Sequence, residues 1–270
     1  MEFALISSSK DTASLNIKES LLKSFKKSDE VFEGENVYFY KNAKIYTTNK
    51  ELIYSEDIDK EIKADFFIFL SKHKSKSEIP SLTVHPIGNW DKAELGGKNK
   101  TLVYSSAKLV KEVLITMYRF NNLDFEVTLE SDHHGPYLEK PSFFIEIGST
   151  ENEWKNKKAG EIIAKTIYEI LDYKTKKYRI AIGIGGQHYP YSFNKITLGS
   201  DIAIGHICPK HYLYNFDEDL LKQMIEKTEE KVDFIILDWK GLGQFKQKVS
   251  SLVKKFGLSY VKTRDIAKQL

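Results

Sequence analysis

The sequence predicts an α/β fold, a three-layer mixed sheet flanked by helices. Three observations carry this. Strand-length apolar runs such as Phe66 to Leu70 and Ile180 to Ile184 alternate along almost the whole chain with segments whose apolar residues recur at helical spacing. The connections between them are mostly short, which favours a layered fold with a largely parallel or mixed sheet. A chain of 270 residues, 41% of them hydrophobic, can bury a substantial core.

Phe3 to Ser7 opens as a strand, and Asp11 is placed to cap a helix carrying Leu15, Leu21, Leu22 and Phe25. Val37 to Tyr40 and Lys44 to Thr47 flank a turn centred on Asn42, the pattern of a hairpin. Phe66 to Leu70 and Leu82 to His85 read as buried strands. A long helix over Ala107 to Asn121 sets Leu109, Val110, Val113, Leu114 and Met117 on one stripe. Strands at Phe125 to Leu129 and Phe143 to Ile147 bracket a loop rich in reactive side chains, and a second long helix runs from Glu153 to Leu171. Then come a strand (Tyr178 to Ile184), a glycine-rich loop and a strand (Ile202 to Ile207). A helix over Asp217 to Lys227, a strand at Phe234 to Leu237, a helix over Gly243 to Phe256 and a last strand and short helix finish the chain. No repeat, low-complexity tract or linker divides it. Residues 1–270 are expected to form one α/β domain, with a lobe or flap near 72–100, the most irregular stretch.

Composition removes several classes. Lys plus Arg number 41 against 38 Asp plus Glu, a net charge of +3, so the chain is no polycation that coats nucleic acid. Arginine occurs only at Arg119, Arg179 and Arg264; lysine contacts would position a polyanion without bidentate base reading. The lone Cys208 excludes an internal disulfide and a cysteine-only zinc site and fits a reducing compartment; it reads as a buried, inert thiol. No run approaches the roughly 20 residues of a spanning helix, and the N-terminus lacks the pattern of a signal peptide. A cytoplasmic monomer without membrane contact is expected.

Six of seven histidines fall in four compact segments, each at a predicted strand end: His85, the pair His133 and His134, His188, and His206 with His211. Only His73, within a lysine cluster, reads as a surface residue. Ligand sites in open α/β sheets form outside the carboxyl ends of strands, so four such loops can share one cleft. Glu146 is a carboxylate inside an apolar strand, where burial raises the pKa unless a cation or hydrogen bonds compensate. Two readings stay open: a zinc site that activates water, or a neutral histidine acting as general base. The Gly183, Gly185, Gly186 loop offers backbone donors for a phosphate, an oxyanion or only a tight turn. Basic residues interleaved with tyrosines (Lys155, Lys157, Lys158 and Lys174, Lys176, Lys177, Arg179) suit an RNA backbone, or are solvated helix ends.

Taken in order, His85-Pro86-x-Gly88-Asn89, Ser131-Asp132-His133-His134-Gly135-Pro136, Glu146-Ile147-Gly148-Ser149-x-Glu151-x-x-Trp154, Gly183-x-Gly185-Gly186-x-His188-Tyr189 and Gly205-His206 resemble the archaeal and plant D-aminoacyl-tRNA deacylases over essentially the whole chain. The resemblance implies a phosphorylase/hydrolase-like fold related to peptidyl-tRNA hydrolase. It implies hydrolysis of the ester between a D-amino acid and the tRNA 3′-terminal ribose, and Zn²⁺ dependence with two ions per subunit. On that reading His133, His134 and Glu146 form the catalytic centre. His85, His133, His134, His188 and His206 are candidate metal ligands. Gly183, Gly185 and Gly186 would let backbone approach the amino acid, and the lysines with Arg179 would hold tRNA. A metal-dependent amidase or peptidase and a non-catalytic RNA-binding protein are the rival classes.

Overall fold

The computed structural model describes residues 1–174 and 176–268. In chain order the strands are β1 (Phe3–Ser8), β2 (Lys26–Phe32), β3 (Glu35–Tyr40), β4 (Ala43–Thr48), β5 (Phe66–Lys72), β6 (Ser81–Pro86), β7 (Gly88–Asn89), β8 (Thr101–Leu102), β9 (Glu126–Leu129), β10 (Ser142–Gly148), β11 (Arg179–Ile184), β12 (Ile202–Cys208), β13 (Phe234–Leu237) and β14 (Tyr260–Lys262). The helices are α1 (Thr12–Leu21), α2 (Ile58–Glu61), α3 (Ala107–Phe120), α4 (Glu151–Trp154), α5 (Lys157–Leu171), α6 (Tyr191–Gly199), α7 (Glu218–Glu226), α8 (Lys246–Lys255) and α9 (Thr263–Ala267).

The mixed α/β expectation holds in outline, but the strands form two main sheets instead of one. The larger has the order β2-β3-β4-β1-β5-β10-β6-β9, and the smaller, fully parallel, has β12-β11-β13-β14. In the larger sheet β1, β4, β5 and β10 run parallel, and β6 enters antiparallel to β10. Helix α3 lies between the sheets, packing on β6 and β9 on one side and on β11 and β12 on the other. One apolar cluster therefore joins Leu82 and Ile145 of the large sheet to Ile204 and Ile236 of the small one.

Strand side chains alternate between faces, and this divides core from site. On β5, β10, β6 and β9 the residues Phe66, Ile68, Leu70, Phe143, Ile145, Ile147, Leu82, Val84, Val127 and Leu129 belong to the core that includes Ile17, Val113 and Ile163 of α1, α3 and α5. The alternate positions face the other way. Phe67, Phe69 and Phe144 bury against Leu52, Ile58, Ile87 and Leu138. Toward the carboxyl ends of β5 and β10 this second face turns polar: Ser71 and Thr83 stand in register with Glu146, and His85 in register with Phe144.

Several expectations need correction. Helix 153–171 is two helices, because the Asn156 side chain caps a new start by accepting from the Lys158 and Ala159 amides. Strand β2 has no signature in the sequence: Lys-Lys-Ser-Asp-Glu-Val-Phe is mostly exposed and polar, so it shows no apolar run. Helix α6, between the glycine-rich loop and β12, is likewise an addition to the expected elements. Residues 72–100, expected as a lobe or flap, contribute β6 to the interior of the large sheet, and besides the short connection from β5 it is the stretch after β6 that runs outside it. That stretch is pinned: a Cβ on Gly135 would fall 2.8 Å from Ile53 O and closer still to the Gly97 nitrogen.

Candidate functional site

Alternation on four neighbouring strands builds the floor of the site. His73 follows β5, His85 ends β6, Glu130 follows β9 and Glu146 sits in β10, all buried. His73 is thus not a surface residue; its backbone nitrogen continues the β5–β10 ladder by donating to Ile147 O at 2.9 Å, which turns its ring inward with Phe69 and Ser71. The segment after Glu130 adds His133 and His134. The loop after β11 adds His188, held there because the Ser131 nitrogen and hydroxyl donate to His188 O and Gln187 O, each at 2.9 Å. The two sheets are thereby stapled together at the site itself.

The rings form one contiguous cluster. His85 and His133 centroids are 4.1 Å apart, His133 and His134 4.3 Å, and His133 and His188 4.6 Å. Nδ1 of His85 donates to Pro86 O at 2.8 Å, of His133 to Ser131 O at 2.9 Å, and of His134 to Gly135 O at 2.6 Å. A carbonyl only accepts, so Nδ1 of each ring carries a proton; in His133 and His134, the rings that stay neutral, Nε2 keeps the free lone pair. His73 Nδ1 lies 3.2 Å from Glu130 Oε1 and 3.5 Å from Glu146 Oε2, while its Nε2 meets the Tyr189 hydroxyl at 2.6 Å. Glu130 Oε2 lies 2.8 Å from His188 Nε2 and 3.6 Å from His133 Nε2.

Electrostatics sort the histidines by which carboxylate they face. Burial would depress His73, but the Glu146 hydrogen bond and the Glu130 charge raise it to about 9. His85 is raised in the same way, burial being outweighed by Glu146. His133 is pushed well below the usual imidazole range and His134 down to about 4, by burial and then by neighbouring histidine charge, chiefly His85. Glu146 shows the compensation: burial would raise it, yet His73 and His85 hold it below the ordinary carboxylate range. Glu130 is likewise held low against its burial, first by His188.

Three groups bring ligand atoms close enough to hold a metal ion: His85 with His133 and His134, Glu130 with His133 and His188, and His73 with Glu130 and Glu146. Two of these residues, His73 and Glu130, escaped sequence reading. The signal that exposes both is period-two alternation: Phe67, Phe69, Ser71 and His73 share one parity, and Thr128 and Glu130 another.

Other expected site residues lie elsewhere. His206 is buried away from the cluster. Its Nδ1 meets Asp132 Oδ2 at 2.5 Å and its Nε2 meets Lys227 O at 3.2 Å, so neither nitrogen has a lone pair free for a metal. It ties β12 to the loop after β9. Gly183, Gly185 and Gly186 line neither of the two cavities at the cluster. A Cβ on Gly183 would meet Phe193 at 2.9 Å, and the Gly185 amide donates to Cys208 O at 2.8 Å, so the loop serves close packing and delivers His188. Cys208 is buried, which raises its thiol well above the ordinary range and suits an inert residue. Among the expected tRNA contacts, Lys155, Lys157, Lys176 and Arg179 pair with Glu151, Glu19, Glu112 and Asp201, while Lys158, Lys174 and Lys177 stand exposed.

Two cavities open onto the cluster and share the wall made by Leu95, His133, His134 and His188. The larger, about 520 Å³, is also lined by His73 and Glu146; the smaller, about 240 Å³, by Pro209, His211 and Tyr212.

The family model described as D-aminoacyl-tRNA deacylase matches residues 60–261. D-aminoacyl-tRNA deacylases of Pyrococcus abyssi and Thermococcus kodakarensis are 43% and 41% identical, each match covering 93% of this chain and 96% of the relative. That of Methanosarcina barkeri is 36% identical over 98% of this chain and 90% of its own. The crystal structure of AF0625, a conserved protein of unknown function, superposes with a TM-score of 0.92 at 30% identity, covering 99% of this chain and 97% of that one. No described helix is long and apolar enough to cross a membrane. With the family model matching residues 60–261 and relatives matching almost end to end, the chain belongs to the D-aminoacyl-tRNA deacylase family.

Proposed function

We propose that this protein hydrolyses the ester joining a D-amino acid to the 3′-terminal ribose of tRNA, releasing free tRNA and the D-amino acid. The observation that carries the reading is a cluster of five histidines and two glutamates, of which His73, His133, His134, His188 and Glu146 line one open cavity, in a chain aligned with this family over nearly its full length. An aminoacyl ester is already activated, so positioning and a proton acceptor supply much of what its hydrolysis needs. A non-catalytic RNA-binding protein would leave the buried cluster without a purpose.

The donors fit a divalent cation. Nε2 of His85 is buried without a hydrogen-bond partner, the buried Glu130 oxygens face only the nitrogens of His73, His133 and His188, and imidazole with carboxylate is a set that Zn²⁺ accepts. His73, Glu130 and Glu146 would hold one ion, and Glu130, His133 and His188 would hold another. Bound there, Zn²⁺ supplies Lewis-acid polarisation of the ester carbonyl. The Tyr189 hydroxyl fixes the His73 ring from its far nitrogen, a supporting contact typical of ligating histidines.

The chain's own residues do the remaining work. His134, neutral at physiological pH, presents its Nε2 lone pair beside His133 and accepts a proton from the attacking water. Its bond to Gly135 O holds the tautomer. Glu146 orients His73 and His85. The cavities on either side of the His133–His134 wall give separate room: the larger for the terminal nucleoside, the smaller, with Tyr212 and Pro209, for the amino-acid side chain. The reading retains a phosphorylase/hydrolase-like kinship with peptidyl-tRNA hydrolase, a cytoplasmic location and a monomeric state, the last supported by a site complete within one chain. The test is deacylation of matched D- and L-tyrosyl-tRNA with and without chelator, with elemental analysis of the protein. Cleavage of the D-form, sparing of the L-form and loss on chelation are expected. Equal cleavage of both forms refutes the stereochemical assignment, and full activity in metal-free protein removes zinc from the mechanism.

A further inference from the structure

We propose that Lys10, Lys72 and Lys74 form a phosphate-binding lip that seats the terminal phosphodiesters of a tRNA 3′ end over the histidine–glutamate cluster. The inference rests on the ester-hydrolase reading and extends it to how the substrate is held. All three lysines line the larger cavity, whose walls also include His73, His133, His134 and Glu146. They come from two separate chain segments. Lys10 stands in the turn between β1 and α1, and Lys72 and Lys74 flank His73. His73 lies in the floor of that cavity, and both of its neighbours also line it.

Charge accounting sets this rim apart from four of the seven basic residues in the patches visible in sequence. Lys155, Lys157, Lys176 and Arg179 each have a carboxylate partner, so a phosphate binding there must first displace an ion pair. Among the described residues none of Lys10, Lys72 and Lys74 has a carboxylate within salt-bridge distance. The acidic groups on the same cavity are Asp11, Glu51 and Glu146. Asp11 is buried, its oxygens accepting from the Ser14 and Lys72 amides and its carboxylate also feeling the Lys72 charge from beyond ion-pair distance, and Glu146 belongs to the floor. That leaves Glu51 as the exposed carboxylate on the opposite wall. Lys72 Nζ lies 5.7 Å from the Trp154 ring centroid, which positions its ammonium without neutralising it. Lysines here grip phosphate as point charges, which suits an enzyme that must accept tRNAs of different sequence. The ester to be cleaved lies one nucleotide from the last phosphodiester, so binding at the rim sets the depth at which the carbonyl meets the histidines.

The experiment is deacylation of D-tyrosyl-tRNA by the wild-type protein, by the triple variant Lys10→Gln/Lys72→Gln/Lys74→Gln, and by the triple Lys→Arg variant, over a series of salt concentrations. For the Gln variant a rise in KM of at least tenfold is expected, with the loss falling on KM more than on kcat. The log–log salt dependence should become shallower by roughly one to two units, about one for each phosphate no longer neutralised. The Arg variant should restore KM, because charge and not lysine itself is required. Wild-type KM and salt slope in the Gln variant overturn the proposal, as does a loss borne wholly by kcat or one that arginine fails to rescue. A wild-type protein that does not cleave D-tyrosyl-tRNA overturns the ester-hydrolase reading and this proposal together, and does so before any variant is compared.

Discussion

Glu130→Gln is the substitution on which the site assignment stands most exposed. Glutamine keeps the volume of a fully buried side chain and removes one negative charge. The carboxylate lies 3.2 Å from His73 Nδ1, 2.8 Å from His188 Nε2 and 3.6 Å from His133 Nε2, so it is the one group that touches both proposed cation positions. At an effective dielectric of about 20, a unit charge at this separation contributes about 5 kcal/mol. With about 1.4 kcal/mol per decade, that corresponds to between three and four powers of ten in the affinity for a positive species. We expect bound metal to drop below stoichiometric levels after dialysis and kcat/KM for D-tyrosyl-tRNA to fall by about 10³ or more. The measurements are elemental analysis and single-turnover deacylation, with the circular dichroism spectrum confirming the fold. In metal-free protein the same substitution should lower the His73 pKa, readable by NMR titration, while Glu146 at 3.5 Å keeps part of the shift. A variant that retains both its metal and turnover within threefold of wild type refutes the bridging role.

Other outcomes follow from the same geometry. His134→Ala should reduce kcat by roughly 10²–10⁴, the range of a lost general base, without lowering metal content; loss of metal instead would make His134 a ligand. Gly135→Ala drives a methyl into Gly97 and Ile53 O, and should destabilise by about 3 kcal/mol, a Tm drop of roughly 6–12 °C; an unchanged melting curve contradicts the tight packing. Lys111 is buried between α3 and α6, donates to Thr197 O and Ser200 O, and is lowered to about 8 by burial. The unfolded chain holds that proton to about 10.4, so between these values it binds more protons and stability rises with pH. Lys111→Met should flatten this rise in denaturant titrations; an identical slope would exclude Lys111 as its source.

Local information was enough for most elements. Asp11 caps α1 as its position suggested, accepting from the Ser14 amide, and the stripe Leu109 to Met117 packs inward. Residues whose partners are local in sequence could be read because their periodicity encodes the buried face directly. The segments carrying His85, His133, His134, Glu146 and His188 were legible as chemistry because polar side chains at strand ends have few other reasons to recur.

The sequence by itself determined the alternation of strands and helices, the family and the candidate donors. It did not determine which donors meet. His206 looked equivalent to His188, yet Asp132 and Lys227 O occupy both its nitrogens, and those partners lie 74 and 21 residues away. His73 looked like a surface residue because lysines surround it, but pairing with β10 turns its ring to the floor of a cavity that Lys72 and Lys74 also line. The lysine patches looked free, until carboxylates from distant segments proved to pair with Lys157, Lys176 and Arg179. In each case the deciding interaction is set by the fold. Burial, tautomer and charge pairing depend on what tertiary structure brings opposite a side chain, which no local pattern records.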